Sequence, residues 1–173
     1  MSDDVFAERL AGMRESMYRV SCSQLKSGFD REDAVQETLL KAWNNRHKLR
    51  NDRYMQTWVT RILINECKNI HRKHKRETAV SELQEHVSVG DTSVEANSEL
   101  YEALFNLSVK LRLPLILHYI EGYTTREIAK ILNIPRGTVL WRMSKARKEL
   151  GLVLHMDEHG EDSHAPMAPI KGD

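Results

Sequence analysis

Cysteine and histidine side chains recur at helical spacing near the middle of the chain. Cys67, His71 and His74 stand at positions i, i+4 and i+7, which places them on one side of a helix. Thiolate and imidazole groups are ligands that Zn²⁺ prefers, but a closed structural site needs four ligands and this pattern offers three. We therefore predict no metal site here and no bound cofactor.

No other pattern indicates an active site. The sequence has no glycine-rich phosphate-binding loop, no Gly-x-Ser-x-Gly and no His-Glu-x-x-His. We predict that the protein is not an enzyme, performs no covalent chemistry and acts by binding.

The residues from Thr124 to Leu150 have the pattern of a helix–turn–helix. Thr124 and Glu127 form a capping box, T-x-x-E, at the start of a short helix. Asn133 tolerates the left-handed conformation that the turn requires, and Pro135 suits the first turn of the next helix. The predicted inward-facing residues are Ile128, Ala129 and Leu132 in the first helix and Val139, Met143, Ala146 and Leu150 in the second.

The outward face of the second helix has the chemistry of a major-groove reader. Its predicted members are Arg136, Leu140, Trp141, Ser144, Lys145 and Lys148. Basic side chains bind phosphates or guanine edges, and the two apolar ones could pack on thymine methyl groups or sugars. In this motif the N-terminal half of the second helix reaches the bases. The pattern favours DNA binding; the alternative is a plain helical hairpin whose charges only contact solvent.

The elements that must position this motif are also predicted to be helices. A first helical segment runs from Asp4 to about Ser27, with apolar residues Phe6, Leu10, Met13, Met17 and Val20. A second begins at Asp30, with Asp33 in its first turn. Its predicted apolar stripe is Val35, Leu39 and Trp43, whereas Ala34, Gln36, Glu37 and Leu40 lie off that stripe.

A third helix is predicted to begin near Tyr54, and a second helical unit follows later in the chain. The third helix carries Met55, Trp58, Val59, Ile62, Leu63 and Ile70 along one face, so the three helices can bury a common core. The later unit has apolar residues Leu100, Leu104, Phe105, Leu107, Leu111, Leu115, Ile116 and Tyr119. Pro114 falls inside this pattern and is expected to bend the helix or to mark its start.

These patterns predict an all-α protein of two small domains, residues 1–76 and 97–151. A flexible linker, 77–96, joins them, and a disordered tail, 152–173, follows. The net charge of +1 conceals a segregation of charge: residues 1–76 and 103–151 each carry +6, 77–102 carry −7 and 152–173 carry −4. Two basic modules on an acidic tether are typical of a protein that binds a polyanion at two places.

The same composition argues against a membrane or secreted protein. No apolar run has the length of a membrane span, and the acidic N-terminus lacks the layout of a signal peptide. The two cysteines indicate no disulfide framework, so we predict a cytoplasmic location.

Three segments, in their order and spacing, resemble the extracytoplasmic-function (ECF) sigma factors of bacterial RNA polymerase. They are DREDAVQETLLKAW, TWVTRILINECKNIHRKHKR and LHYIEGYTTREIAKILNIPRGTVLWRMSKARKEL, and the resemblance covers about residues 5–151. It implies that the first domain is region 2, which binds the clamp helices of the largest polymerase subunit and opens the −10 element. It implies that the second domain is region 4, which reads the −35 element as duplex and contacts the polymerase flap.

Carried over by position, the resemblance assigns polymerase binding to Asp33, Gln36, Glu37 and Leu40. The loop from Asn45 to Arg53 matches the segment that captures a flipped base of the −10 element. Candidate −10 contacts, within a stretch of net charge +8, are Asn45, Arg46, Lys48, Arg50, Arg53, Arg61, Lys68, Arg72, Lys73 and Arg76. Trp58 also matches a family position, and we interpret it as a core residue rather than a stacking platform.

Candidate −35 contacts are Arg126, Arg136, Thr138, Leu140, Trp141, Arg142, Ser144 and Lys145. After Gly137-Thr138-Val139 the family often has a basic residue and then a small polar one, where this chain has Leu140-Trp141. This departure predicts an unusual −35 preference in which hydrophobic contact replaces part of the hydrogen-bonded readout. The alternative is that the tryptophan packs against protein.

The resemblance implies core RNA polymerase and promoter DNA as partners, with an inhibitory anti-sigma factor as a candidate third. The acidic linker either mimics nucleic acid in the polymerase channels or is simply flexible. Two other functions stay open, a stand-alone helix–turn–helix regulator and a helical adaptor that sequesters another protein. A regulator would need neither the docking helix nor the −10 loop. An adaptor would keep its function after loss of the outward basic residues of the last helix.

Overall fold

The protein consists of two compact units, Met1–Val94 and Glu95–Asp173. The computed structural model describes residues 2–80 and 104–151, and within these ranges the regular structure is helical, with no strand. The predicted all-α, two-domain fold class is confirmed. Leu100, the tail from residue 152 and the predicted linker from residue 81 onward lie outside the described residues.

The described part of the first unit contains four α-helices. They are α1 (Asp3–Gly12), α2 (Arg14–Cys22), α3 (Gly28–Asn44) and α4 (Met55–Val80). Two 3₁₀ turns, Arg46–Lys48 and Asp52–Tyr54, form the connection between α3 and α4, where the sequence predicted a loop. The long helix α4 passes the predicted domain boundary at residue 76 and continues to Val80.

The first predicted helix is two helices, because the chain breaks at Met13. That residue ends α1 and precedes α2, with its N–H bonded to Leu10 O at 3.1 Å. The predicted apolar residues are nevertheless all buried: Phe6, Leu10, Met13, Met17 and Val20. The helix is interrupted at Met13, but the apolar residues of both α1 and α2 remain in the core.

Helix α3 begins two residues earlier than predicted and buries a different stripe. Ser27 caps it by accepting the Asp30 N–H at 3.4 Å, so Asp30, not Asp33, lies in the first turn. Its buried residues are Arg31, Ala34, Val35, Thr38 and Ala42. The predicted stripe was therefore wrong at Ala34, which is fully buried, and at Trp43, which is partly exposed. Helix packing against α2 and α4 selects the small residues, because they allow helix axes to approach closely.

Helix α4 supplies the largest part of the first core. Met55, Val59, Leu63, Ile64 and Cys67 are fully buried. Trp58, Ile62 and Ile70, also predicted on this face, are only half-buried. Trp58 therefore lies at the margin of the core rather than inside it.

Besides the helical residues 104–106, the described part of the second unit contains three α-helices and one π-helical turn. They are α5 (Val109–Leu115), the π turn Ile116–Ile120, α6 (Thr125–Leu132) and α7 (Arg136–Glu149). Pro114 lies inside α5, where it has no N–H to donate to the preceding turn, and the helix widens into the π turn directly after it. Tyr119, predicted among the apolar core positions, is exposed and accepts a hydrogen bond from Arg147 Nη1 at 3.0 Å.

The turn between α6 and α7 is built largely as predicted. Both halves of the capping box are present: the Glu127 N–H donates to Thr124 Oγ1 at 3.3 Å, and the Thr124 N–H donates to Glu127 Oε2 at 2.8 Å. Asn133 has the left-handed conformation, with φ 54° and ψ 51°. Pro135 is the N-cap of α7 rather than a first-turn residue, and Ile131 is buried where Leu132 was expected.

Removing the capping hydroxyl is expected to destabilise the second unit. Thr124→Ala should lower its free energy of unfolding by about 1 kcal/mol, because an amide at the start of α6 loses its acceptor. Urea unfolding followed by circular dichroism measures this change. Ser144→Ala removes an exposed hydroxyl from the middle of α7 and is the matched control; equal midpoints for the two variants would contradict the capping role.

Candidate nucleic-acid interface

The outward face of α7 is exposed as the sequence predicted. Val139, Met143 and Ala146 are buried, and α7 packs with them against α5 and α6. On the opposite side the structure exposes Arg136, Leu140, Trp141, Ser144, Lys145 and Lys148. The helix thus presents basic and apolar side chains together on one accessible surface.

Trp141 is the most prominent of these side chains. It is 59% exposed, and Lys145 Nζ lies 5.3 Å from the centre of its ring, within the range of a cation–π contact. The same ammonium lies 3.7 Å from Glu149 Oε1. These are exposed contacts, which cost little to exchange for contacts with a phosphate.

The remaining −35 candidates lie around the start of α7. Arg136 Nε donates to Thr125 Oγ1 at 3.0 Å, which ties the first turn of α7 to the first turn of α6. Thr138 and Arg142 are half-buried, and Arg126 is exposed on α6. The structure therefore brings seven of the eight candidates onto α7 and places Arg126 on the preceding helix.

The predicted polymerase-binding residues form one face of α3, opposite its buried side. Asp33, Gln36 and Leu40 are exposed, and Glu37 is half-buried with Oε2 3.7 Å from Lys41 Nζ. Lys41 also donates to Glu66 of α4, and this hydrogen bond raises the pKa of the lysine. The Lys41–Glu66 ion pair links α3 to α4, whereas the Glu37–Lys41 pair lies within α3.

Phe29 belongs to the same face and was missed by the sequence analysis. Its side chain is 79% exposed, an unusual state for a phenylalanine in the first turn of a helix. It stands four residues before Asp33 and eleven before Leu40, the spacing of one helical stripe. That spacing could have identified it, but Phe29 fell before the predicted start of the helix.

The loop after α3 is held by its own side chains. Asn45 Nδ2 donates to Lys41 O at 2.8 Å, and Asn45 Oδ1 accepts from Lys48 Nζ at 2.5 Å. Two of the predicted DNA contacts, Asn45 and Lys48, therefore shape the loop. Arg50 and Arg53 are exposed on it.

Arg46, a third predicted DNA contact in this loop, is bound by a residue that the sequence analysis did not select. Its Nε and Nη2 lie 2.8 Å from the two carboxylate oxygens of Asp3 in α1. The hydrogen bond from this guanidinium lowers the pKa of the Asp3 carboxyl. A cavity of about 360 Å³ lies beside the pair, lined by Asp3, Phe6, Arg46, His47, Leu49 and Asp52. No local pattern could reveal this contact, because the two residues are 43 positions apart.

Helix α4 carries a basic stripe along its exposed side. Its members are the predicted contacts Arg61, Lys68, Arg72 and Arg76, which follow one another at steps of seven, four and four. Lys73 is exposed as well, but it lies about 100° around the helix from Arg72, so it does not belong to the stripe. Within the described parts of the chain, none of these five side chains has an ion pair.

The cysteine and histidine residues of α4 have separate surroundings. Cys67 is fully buried, and burial raises the pKa of its thiol to about 12, which opposes the thiolate form that binds metals. His71 Nε2 donates to Gln24 O at 2.8 Å, and His74 Nε2 lies 3.0 Å from Asp30 Oδ2. His71 thus ties α4 to the α2–α3 connection, and His74 ties it to the first turn of α3.

Comparison with known proteins identifies the family. Residues 13–77 match the model of sigma-70 region 2, and residues 97–150 match that of sigma-70 region 4. The chain is 30% identical over 135 residues to the ECF RNA polymerase sigma-E factor of Haemophilus influenzae, covering 69% of this chain and 71% of that protein. It is 28% identical over 146 residues to the RNA polymerase sigma factor SigV of Bacillus subtilis, covering 84% of this chain and 88% of that protein.

A solved structure agrees with these relatives. The sigma factor RpoE of Bartonella quintana, in complex with the anti-sigma factor NepR, is 27% identical, has a TM-score of 0.75 and covers 88% of this chain and 98% of its own. The chain belongs to the ECF sigma factors of bacterial RNA polymerase. Members of this family are non-catalytic initiation factors. The function of this chain is promoter-directed initiation of transcription, and its partners are core polymerase and promoter DNA. Within the described ranges, no helix combines the length and the apolar character of a membrane span.

Proposed function

We propose that this chain brings core RNA polymerase to promoters that it grips at two separated elements. Residues 97–151 read the −35 element as duplex, and residues 1–76 bind the polymerase and open the −10 element. The observation that carries the proposal is the pairing of an exposed recognition helix, α7, with an exposed basic stripe on α4 in a separate unit. The protein acts in the cytoplasm, where its polymerase and promoters are.

The exposed face of α3 is proposed to dock on the clamp helices of the largest polymerase subunit. This face combines two carboxylates, an amide and an apolar side chain. Asp33, Gln36 and Leu40 are exposed, and Glu37 is half-buried. Carboxylates of this kind favour orientation and rapid association with a basic partner surface. Phe29 extends the face by one helical turn and adds an exposed aromatic side chain, a residue type enriched at protein interfaces.

The loop from Asn45 to Arg53 and the α4 stripe are proposed to bind the opened −10 strand. Arg50 and Arg53 on the loop and the four stripe residues supply phosphate contacts, which carry affinity but no sequence information. The cavity beside the loop has room for a nucleobase, and Leu49 and Phe6 give it apolar walls. Filling it would offset part of the few kcal/mol that unstacking a base costs.

An anti-sigma factor is proposed as a further partner. The solved relative RpoE is bound to NepR, and this chain exposes Phe29 and Leu40 on α3, which an inhibitor could cover. Purification of the tagged chain from its own cells, followed by mass spectrometry, tests this. We expect polymerase subunits in one fraction and a small inhibitory protein in another; recovery of polymerase alone under all growth conditions would contradict it.

Run-off transcription on genomic fragments tests the proposed function as a whole. Purified core polymerase is supplied with and without the chain, and the 5′ ends of the transcripts are mapped. We expect new, discrete start sites that share sequence at −35 and −10. Identical start sites in both reactions would refute the proposal, and binding to DNA without any effect on transcription would favour a stand-alone regulator.

Lys145 is expected to contact a phosphate of the −35 element. Lys145→Ala should weaken holoenzyme binding to −35 duplex and reduce the slope of log affinity against log salt by about 0.9, the value for one contact. Lys110→Ala makes the same charge change at an exposed lysine of α5, outside the outward face of α7, and is the control. An unchanged slope in Lys145→Ala would remove this residue from the interface.

A further inference from the structure

The guanidinium of Arg46 donates three hydrogen bonds to other residues of the free protein. Its Nε and Nη2 meet both oxygens of Asp3 at 2.8 Å, and its Nη1 donates to Trp43 O at 3.0 Å. Its carbon lies 4.3 Å from the centre of the Trp43 ring. A planar fork backed by an aromatic ring is a geometry that binds carboxylate or phosphate with two parallel hydrogen bonds.

The carboxylate in this fork is delivered by α1, which precedes the residues that match the region 2 model. Ser2 caps α1, and Phe6, 2% exposed, anchors it with its ring 6.2 Å from that of Trp43. Asp3 lies in the first turn of this anchored helix and is thus held opposite Arg46. The contact depends on the position of α1, and it places an anion where the −10 loop would meet DNA.

We propose that Asp3 is an internal competitor of promoter DNA: its carboxylate occupies the phosphate site of Arg46, and a phosphodiester of the −10 single strand displaces it during promoter opening. This inference rests on the proposed function, because it requires that the loop from Asn45 to Arg53 binds the −10 strand. The ligand of the site is a phosphate of single-stranded DNA. Its recognition uses the same two hydrogen bonds that the carboxylate now accepts.

The exposure of the pair makes such an exchange feasible. The side chains of Asp3 and Arg46 remain 62% and 31% exposed, so water screens their attraction and the ion pair is weak. The hydrogen bond from Arg46 lowers the pKa of Asp3. An aspartate is in any case charged at neutral pH, so the competition persists there. Breaking the Asp3–Arg46 pair costs little free energy, but every DNA strand that binds Arg46 must break it.

The exchange gives the loop a means of discrimination. A phosphate alone replaces one ion pair by another and gains little net affinity. A strand that also places a base in the adjoining cavity gains the contacts of that cavity in addition. Asp3 therefore disfavours strands that offer only charge, which is specificity obtained by weakening the wrong complex.

Replacing Asp3 by asparagine tests the proposal. The probe is a fluorescein-labelled single strand of the non-template −10 region, taken from a promoter mapped by run-off transcription, and it is titrated with holoenzyme. Asp3→Asn should tighten binding by about threefold and steepen the salt slope by about 0.7, the value for one phosphate contact on a single strand. Asp4→Asn, the same change one residue away, is the matched control and should leave both unchanged.

A double variant shows whether Asp3 acts through Arg46. In an Arg46→Ala background, Asp3→Asn should have no further effect on affinity or on the salt slope. Weaker binding by Asp3→Asn alone, equal behaviour of Asp3→Asn and Asp4→Asn, or a full effect without Arg46 would each overturn the proposal. Run-off transcription tests the proposed function separately. If the wild-type holoenzyme does not start transcription at discrete sites, the proposed function is wrong, whatever the Asp3 variants show.

Discussion

Holoenzyme assembly is expected to be abolished when Asp33 and Glu37 are both replaced by lysine. The two carboxylates lie four residues apart on the open face of α3, where the structure leaves Asp33 exposed and Glu37 half-exposed. Lysines there would meet a basic partner surface as like charges, at a cost of several kcal/mol, so that binding should fall by more than a hundredfold. Fluorescence anisotropy with labelled core polymerase measures the loss directly.

The chain offers a closely matched control for this variant. Asp4 and Glu8 are exposed acids at the same four-residue spacing on α1, and Asp4→Lys with Glu8→Lys makes the same change in net charge. We expect this control to assemble with core polymerase nearly as well as the wild type. Equal loss in both variants would mean that overall charge, rather than the α3 face, governs assembly.

Trp141→Ala is expected to reduce initiation at −35-dependent promoters by tenfold or more. The side chain is exposed on α7, so its removal should leave the fold intact while deleting the largest apolar surface of the recognition helix. Loss of recognition at one base pair costs about 1–3 kcal/mol, and each 1.4 kcal/mol is a factor of ten. Run-off transcription on paired templates, with the native −35 element and with a replaced one, gives the readout.

The paired templates separate DNA contact from protein contact. If Trp141 reads the −35 element, Trp141→Ala should lower transcription from the native template and change little on the replaced one. Trp141→Phe keeps an aromatic ring and should retain part of the activity. A loss of equal size on both templates would show that the tryptophan packs against polymerase, and the proposed −35 readout by this residue would be wrong.

The sequence by itself determined the helix–turn–helix to near residue level. The capping box of Thr124 and Glu127, the left-handed Asn133 and the inward Val139, Met143 and Ala146 all stand as predicted. These features depend on residues within four positions of one another, where backbone hydrogen bonding and helical period dominate. The order of the three family segments likewise predicted the two-domain helical fold.

Local pattern failed where packing between distant segments decided the outcome. It put Trp43 in the core and Ala34 outside it, because hydrophobicity ranks tryptophan above alanine. In the structure α3, which packs against α2 and α4, buries Ala34 completely and leaves Trp43 36% exposed. It started α3 two residues late and so missed Phe29.

The tertiary structure alone decided what holds Arg46. The sequence offered it as a free cation for DNA, and the fold instead brings α1 beside the −10 loop and sets Asp3 against it across 43 positions of chain. Helical period and capping act within a few residues and can be read from neighbours. An ion pair between two elements depends on how their buried faces pack together, which a short stretch of sequence cannot reveal.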